Sequence, residues 1–147
     1  MLTKTYGAAV TGVDAIVVTM EVAFDNGFGF CIVGLPDTAV KESYERVRSA
    51  IKEFGVEFPR RDIVVNMSPA DVKKEGAAYD LPIAVALLAA DGKLAADNLD
   101  KYMIMGELSL DGTILPIRGI LPMAIKARAE GFKGFIVPRA NAKEAAV

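Results

Sequence analysis

The 147-residue chain has no histidine and a single cysteine, Cys31. Those two facts remove most familiar catalytic chemistry. Without imidazole there is no Ser-His-Asp or Cys-His proton transfer, and one thiol cannot complete a structural zinc set. A serine paired with a lysine of lowered pKa remains open. The four serines are Ser43, Ser49, Ser68 and Ser109. Ser43 and Ser49 fall in a helical pattern and Ser109 in a hairpin, so Ser68, upstream of Lys73 and Lys74, is the one to weigh. Its ordinary use is to satisfy local backbone at a strand end. Asp71, Glu75, Glu107 and Asp111 match no D-x-[DN]-x-[DN]-G spacing and read as surface charge. Cys31 lies in an apolar run and reads as a buried core thiol.

The basic doublets are Arg60-Arg61 and Lys73-Lys74, each with an acid beside it (Asp62 and Glu75). With 17 basic and 19 acidic residues the net charge is −2. That is a weak starting point for independent nucleic-acid binding, which usually shows a basic excess. If this chain touches DNA, Arg60, Arg61, Lys73 and Lys74 are the residues to carry it. The densest polar cluster is Lys73-Lys74-Glu75-Gly76 with Asp80. It reads either as a contact surface for another module, a subunit or a phosphate, or as a solvated loop with Asp80 capping a helix. GLPDTAVKES (34–43) invites a phosphate-loop reading, but it has one glycine, and Asp37 places an anion at the helix start. No G-x-x-x-x-G-K-[ST] occurs, so any ATP binds outside these residues.

The elements that must position these groups follow from pattern. Hydrophobic residues make up 52% and charged residues 24% of the chain, which fits one packed α/β domain over residues 1–147. No run approaches a membrane span, and the start lacks a signal-peptide core, so a cytoplasmic location is expected. Residues 15–24 alternate, and with the Asp25-Asn26-Gly27 turn and residues 28–33 they read as a β-meander. Asp37 and Thr38 open an amphipathic helix (Val40, Tyr44, Val47, Ile51) that stops at Gly55. Residues 62–67 read as a buried strand, and 80–91 as a buried helix with Asp80 as N-cap. Residues 102–107 and 113–117 flank a hairpin turn at Asp111-Gly112. A third main helix covers 120–130, and a strand covers 132–137. Asn141 caps a further helix that has no stop before Val147, which reads as a domain cut from a longer protein.

Four segments carry a resemblance: GLPDTAVKES (34–43), NMSPADVKKEGAAYDLPIA (66–84), GELSLDGTILPIRG (106–119) and VPRANAKEAA (137–146). In this order they resemble the N-terminal domain of the YifB/ComM proteins, which are labelled magnesium-chelatase-subunit-like. The resemblance implies a mixed-sheet α/β (α+β) fold, Lon proteolytic-domain-like (ribosomal protein S5 domain 2-like), with about three main helices. It also implies an AAA+ ATPase module beyond residue 147, which would hold ATP and magnesium. The whole protein would be a hexameric DNA branch-migration helicase in natural transformation. Partners would be that module, neighbouring subunits and DNA, with no membrane. Lon cuts peptides with a Ser-Lys dyad. By resemblance the serine position falls on Ala78, in Gly76-Ala77-Ala78-Tyr79-Asp80, and the lysine position on Leu121, after Leu115-Pro116-Ile117-Arg118-Gly119. Neither side chain can exchange a proton. The expectation is a non-catalytic accessory domain with no cofactor or metal of its own, against the alternatives of residual peptidase or chelatase-related activity or a DNA-contacting module.

Overall fold

The computed structural model describes residues 2–146. At its centre is a strand that the hydrophobic alternation does not announce. β1 (Thr3–Thr11) carries Gly7, Ala8 and Ala9 at its middle, residues with little strand preference. Their smallness is the point, because both faces of β1 are covered. A Cβ on Gly7 would stand 2.6 Å from the Met105 sulfur. The chain turns at Gly12-Val13 into β2 (Asp14–Asp25), antiparallel to β1 from Thr3↔Val22 to Thr11↔Asp14. Gly12 has φ 66°, which suits the first central position of a two-residue hairpin turn. Val18, Met20 and Val22 are fully buried, as the alternation requires.

The main sheet has six strands in the order β3 (Phe30–Val33), β4 (Asp62–Ser68), β2, β1, β5 (Tyr102–Ile104) and β8 (Gly134–Ile136). β6 (Glu107–Leu108) and β7 (Ile114–Leu115) form a separate hairpin. The meander expected over residues 15–33 does not form. β4 lies between β2 and β3, antiparallel to the first and parallel to the second. A parallel pair needs a crossover, and residues 34–61 supply it with helices α1 (Thr38–Lys41) and α2 (Ser43–Glu53). The strand expected over 102–107 breaks after Ile104, because Gly106 exchanges main-chain bonds with Ala78 and Leu81. Five of the six strands run the same way, with β2 alone reversed.

α1 and α2 were expected as one helix. Arg46 Nη2 donates to the Ala39 carbonyl at 2.7 Å, the acceptor that a continuous helix would give to the Ser43 N–H, and the helix breaks at Glu42. α2 and α3 (Asp80–Ala90) cover one face of the sheet, where Phe30 packs on Tyr44 at 4.6 Å and Thr5 Oγ donates to the Pro82 carbonyl at 2.8 Å. α4 (Ile120–Ala129) covers β1, β2 and β8 on the other face, and a short α5 (Ala142–Ala145) follows. α2, α3 and α4 end alike. Gly55, Gly92 and Gly131 take positive φ, and the next residue donates back to the carbonyl five positions earlier, a Schellman stop. Cys31 is exposed, against expectation. Alternation puts it with Val33 and Val64 on the part of the sheet that α4 leaves bare.

Candidate functional site

Because β1, β4 and β5 run the same way, the loops after them gather at one edge of the sheet. There they enclose a cleft of about 910 Å³, within the range of ligand sites. One wall is Ala8–Thr11 of β1, another is the 71–79 loop, and a third is Pro116–Gly119 leading into α4. Each wall is fixed from behind. Asp37 accepts from the Val40 N–H at 2.8 Å to cap α1, and its other oxygen accepts from the Gly76 N–H at 3.0 Å. The Asp37 and Lys74 main chains pair at 2.9 Å, as do Lys74 and Leu35. The helix start that could have drawn a phosphate therefore holds its own carboxylate. On the third wall Asn141 stands at the N-cap position of α5, as expected, but its side chain makes no capping bond. Its side chain accepts from the Ile117 N–H at 2.9 Å and donates to the Ile117 carbonyl at 3.0 Å. Gly119 (φ 80°) lies so close to Val10 that a Cβ would meet its Cγ2 at 2.8 Å.

Two residues of the expected contact surface are not on the surface. Lys74 is 0% exposed; its ammonium donates to the Gly34 carbonyl at 2.7 Å and to the Pro69 carbonyl. No carboxylate pairs with it among the described residues, and burial lowers its pKa despite the pull of Asp71. Asp80 is also 0% exposed and is no N-cap. Its carboxylate takes Arg46 Nε at 2.6 Å and Nη2 at 3.1 Å, and the Leu108 N–H at 3.1 Å. Burial pushes Asp80 up, while Arg46 and Leu108 pull it back in part; the pairing holds Arg46 still more firmly protonated.

The remaining candidates also separate. Arg60 and Arg61 precede β4 while Lys73 follows it, so the basic pairs lie about 20 Å apart at 3.3 Å per strand residue. Arg60 pairs with Glu57 at 2.8 Å, and Arg61 lies over the Phe24 ring at 5.3 Å. Lys73 and Glu75 face each other at 3.8 Å on the cleft rim. Ser68 Oγ receives the Asn66 amide at 3.3 Å and makes no bond to either lysine. Glu107 and Asp71 line the cleft, whereas Asp111 sits in the β6–β7 turn, where it bonds Ser109 and Thr113 and falls to a pKa of about 2. Ala78 lines the cleft. Leu121 does not; it borders a second hollow between α4 and α5, with Ile125 and Ala145.

Sequence reading missed two features of this site. One is Tyr79, which lines the cleft while only 3% exposed; burial, with Asp37 and Glu75 nearby, pushes its phenol up. The other is the β1 wall, hidden by its small residues.

Residues 20–141 match the family described as subunit ChlI of Mg-chelatase. The chain is 49% identical over 137 residues to the uncharacterized protein YifB of Salmonella typhimurium, covering 92% of this chain and 27% of that protein. It is 42% identical to the competence protein ComM of Haemophilus influenzae, covering 97% and 28%. A Lon protease of Chloroflexus aurantiacus is 34% identical over 118 residues, 75% of this chain and 14% of that protein. The chain thus spans little more than a quarter of the length of its YifB and ComM relatives.

Proposed function

We propose, from the premise that this chain belongs to the ChlI family of Mg-chelatase subunits, that it is a non-catalytic accessory and regulatory domain of a YifB/ComM-type AAA+ ATPase. The observation that carries this reading is the makeup of the cleft. It has the size of an active site, but its lining contains no serine, cysteine or histidine, and Ala78 stands where resemblance to Lon puts the nucleophile. The lining lysine, Lys73, faces Glu75, and Tyr79 is held protonated by burial. Neither is placed to activate a hydroxyl.

In the whole protein the ATPase module lies in the remaining three quarters, binds ATP and magnesium, and assembles as a hexamer that acts on DNA in the cytoplasm. This domain packs on that assembly and conditions its contacts. Among the described residues no helix is long and apolar enough to cross a membrane. The test uses the full-length protein with and without residues 1–147. Loss of the domain is expected to alter hexamer assembly by sedimentation, or DNA-stimulated ATP hydrolysis, while the intact protein leaves casein uncut and a fluorophosphonate probe unreacted. Unchanged assembly and ATPase rates, or a labelled serine within residues 1–147, would overturn the reading.

A further inference from the structure

Another concave surface lies at the opposite end of the sheet, where β3 and β4 begin. The C-terminal half of α2 and the 55–61 loop wall a hollow of about 750 Å³. A smaller one of about 380 Å³ continues it past Phe28 and Tyr44, which line both. The pattern that builds α2 buries Val47, Ala50 and Ile51. The stripe beside that buried face carries Lys41 of α1 and Tyr44, Arg48 and Lys52 of α2, at spacings of three, four and four that keep to one side of a helix. Lys41, Arg48 and Lys52 make no ion pair among the described residues, and Arg48 and Lys52, four apart, repel each other. The loop after α2 brings Arg60 and Arg61 to the same hollow. Five cations therefore line the two hollows against one acid, Glu57, in a chain whose net charge is −2.

The aromatic residues are a separate observation. Tyr44 packs on Phe30 at 4.6 Å and on Phe58 at 5.8 Å, a row that joins the two hollows. Phe28 lines both of them while 88% exposed. A lone exposed apolar side chain is ordinary; one set among five cations is a combination to explain. The cations are also available. Arg60 is held only by the exposed Glu57, a pairing that solvent weakens. Arg61 is oriented by the Phe24 ring and by the Asp25 carbonyl, 3.4 Å from its Nε. All five are exposed, unlike Lys74. The carboxylate of Asp62, next to Arg61, lies against Gly29.

We propose that this groove binds single-stranded nucleic acid, with phosphates on Lys41, Arg48, Lys52, Arg60 and Arg61 and a base stacked on Phe28. A basic groove that tracks a backbone, beside an aromatic ring open to a base, is the chemistry of single-strand recognition. A duplex keeps its base faces stacked, and an acidic protein segment would use the cations and leave Phe28 idle. From Lys41 to Lys52 the stripe runs about 16 Å at 1.5 Å per residue, enough for about five phosphates at 3.4 Å each. Sequence spacing joined Arg60 and Arg61 to Lys73 and Lys74; the fold joins them instead to one side of α1 and α2. The proposal gives this domain a nucleic-acid contact of its own, apart from the ATPase module, and so goes beyond the accessory role.

The test titrates the full chain into a fluorescently labelled oligothymidylate of about 12 nucleotides and follows anisotropy between about 25 and 200 mM salt. Contact with about four phosphates gives a slope of about −3 in log K against log salt. Arg48→Gln combined with Lys52→Gln is expected to weaken binding at least about tenfold and to make the slope shallower by about 1.4. Phe28→Ala should weaken it at least about fivefold and leave the slope unchanged, because stacking releases no counterions. All three side chains are exposed, so these variants keep the fold. Lys73→Gln, at the other end of the sheet, should change nothing, and a duplex of the same length should bind more weakly. Absence of salt-dependent binding, affinity unmoved by either variant, equal binding of the duplex, or displacement by an equal concentration of oligoglutamate (the mark of an acidic protein partner) would overturn the proposal. Each of those results leaves the accessory role intact, because that role is read from hexamer assembly and ATP hydrolysis in the whole protein.

Discussion

Lys74 carries a charge into a place where only carbonyls meet it. The Gly34 and Pro69 carbonyls that it satisfies lie in the loop after β3 and the loop after β4, so the side chain ties two parallel-strand loops together behind the cleft. A Cβ at Gly34 would come within 2.1 Å of the Met67 carbonyl oxygen, so the two backbones approach closely here. Lys74→Met keeps the length and removes the donors. Leaving two buried acceptors unpaired costs about 1–3 kcal/mol each, and chemical denaturation is expected to show a loss of about 2–4 kcal/mol with an unchanged slope. The pH dependence has a sign. Burial lowers the folded-state pKa of Lys74 below its ordinary value of 10.5, so between those two values the unfolded chain binds more protons, and stability rises with pH. The Met variant lacks that rise, and its deficit widens on the alkaline side. A Met variant as stable as the parent would show that other contacts hold the two loops.

At the scale of elements, the Arg46–Asp80 pair joins α2 to α3, and the Leu108 N–H brings in the β6–β7 hairpin. Arg46→Met leaves the buried carboxylate without its cation, which typically costs about 3–5 kcal/mol. In that variant the folded-state pKa of Asp80 rises further. Stability then falls as pH climbs from the unfolded carboxyl value towards the raised folded one. The defect is expected to be greatest at neutral pH and to shrink on acidification, which thermal melts between pH 3 and 7 would show; a pH-independent loss would put the role of Arg46 in packing alone. The sequence already displayed α2, α3 and α4, their glycine stops and the alternation of β2, because these are local patterns of apolar spacing and turn chemistry. It did not display the insertion of β4 between β2 and β3, since strand order depends on a crossover that no local window contains. Nor could spacing distinguish Asp80 as a capping residue from Asp80 as half of a buried pair, because Arg46 lies 34 positions away. Lys74 misled for the opposite reason. A lysine doublet in a polar loop looks solvated, and only tertiary closure turns one of the two inward.

For the whole molecule, the matched family span and the folding unit do not coincide. The match covers residues 20–141, but β1 and the first part of β2 lie before it, and β1 sits between β2 and β5 in the sheet. Removing residues 1–19 takes out the central strand and leaves two fragments, β3-β4-β2 and β5-β8. It also exposes the faces of α3 and α4 that pack on β1. Ala8, Val18 and Thr5, all fully buried, go with it. Domain stabilities are only about 5–15 kcal/mol, and losing the strand that joins the two halves removes more apolar burial and ladder bonding than that margin allows. A chain of residues 20–141 is therefore expected to show no cooperative thermal transition and no slowly exchanging amides in β4, whereas residues 1–147 melt in one step. Supplying β1 and β2 as a separate hairpin peptide, residues 1–26, should restore protection in β4 and β5 if the sheet is one cooperative unit. A cooperative melt of residues 20–141 alone would show that α3 and the β3-β4 crossover form a core sufficient without the strand that builds the cleft.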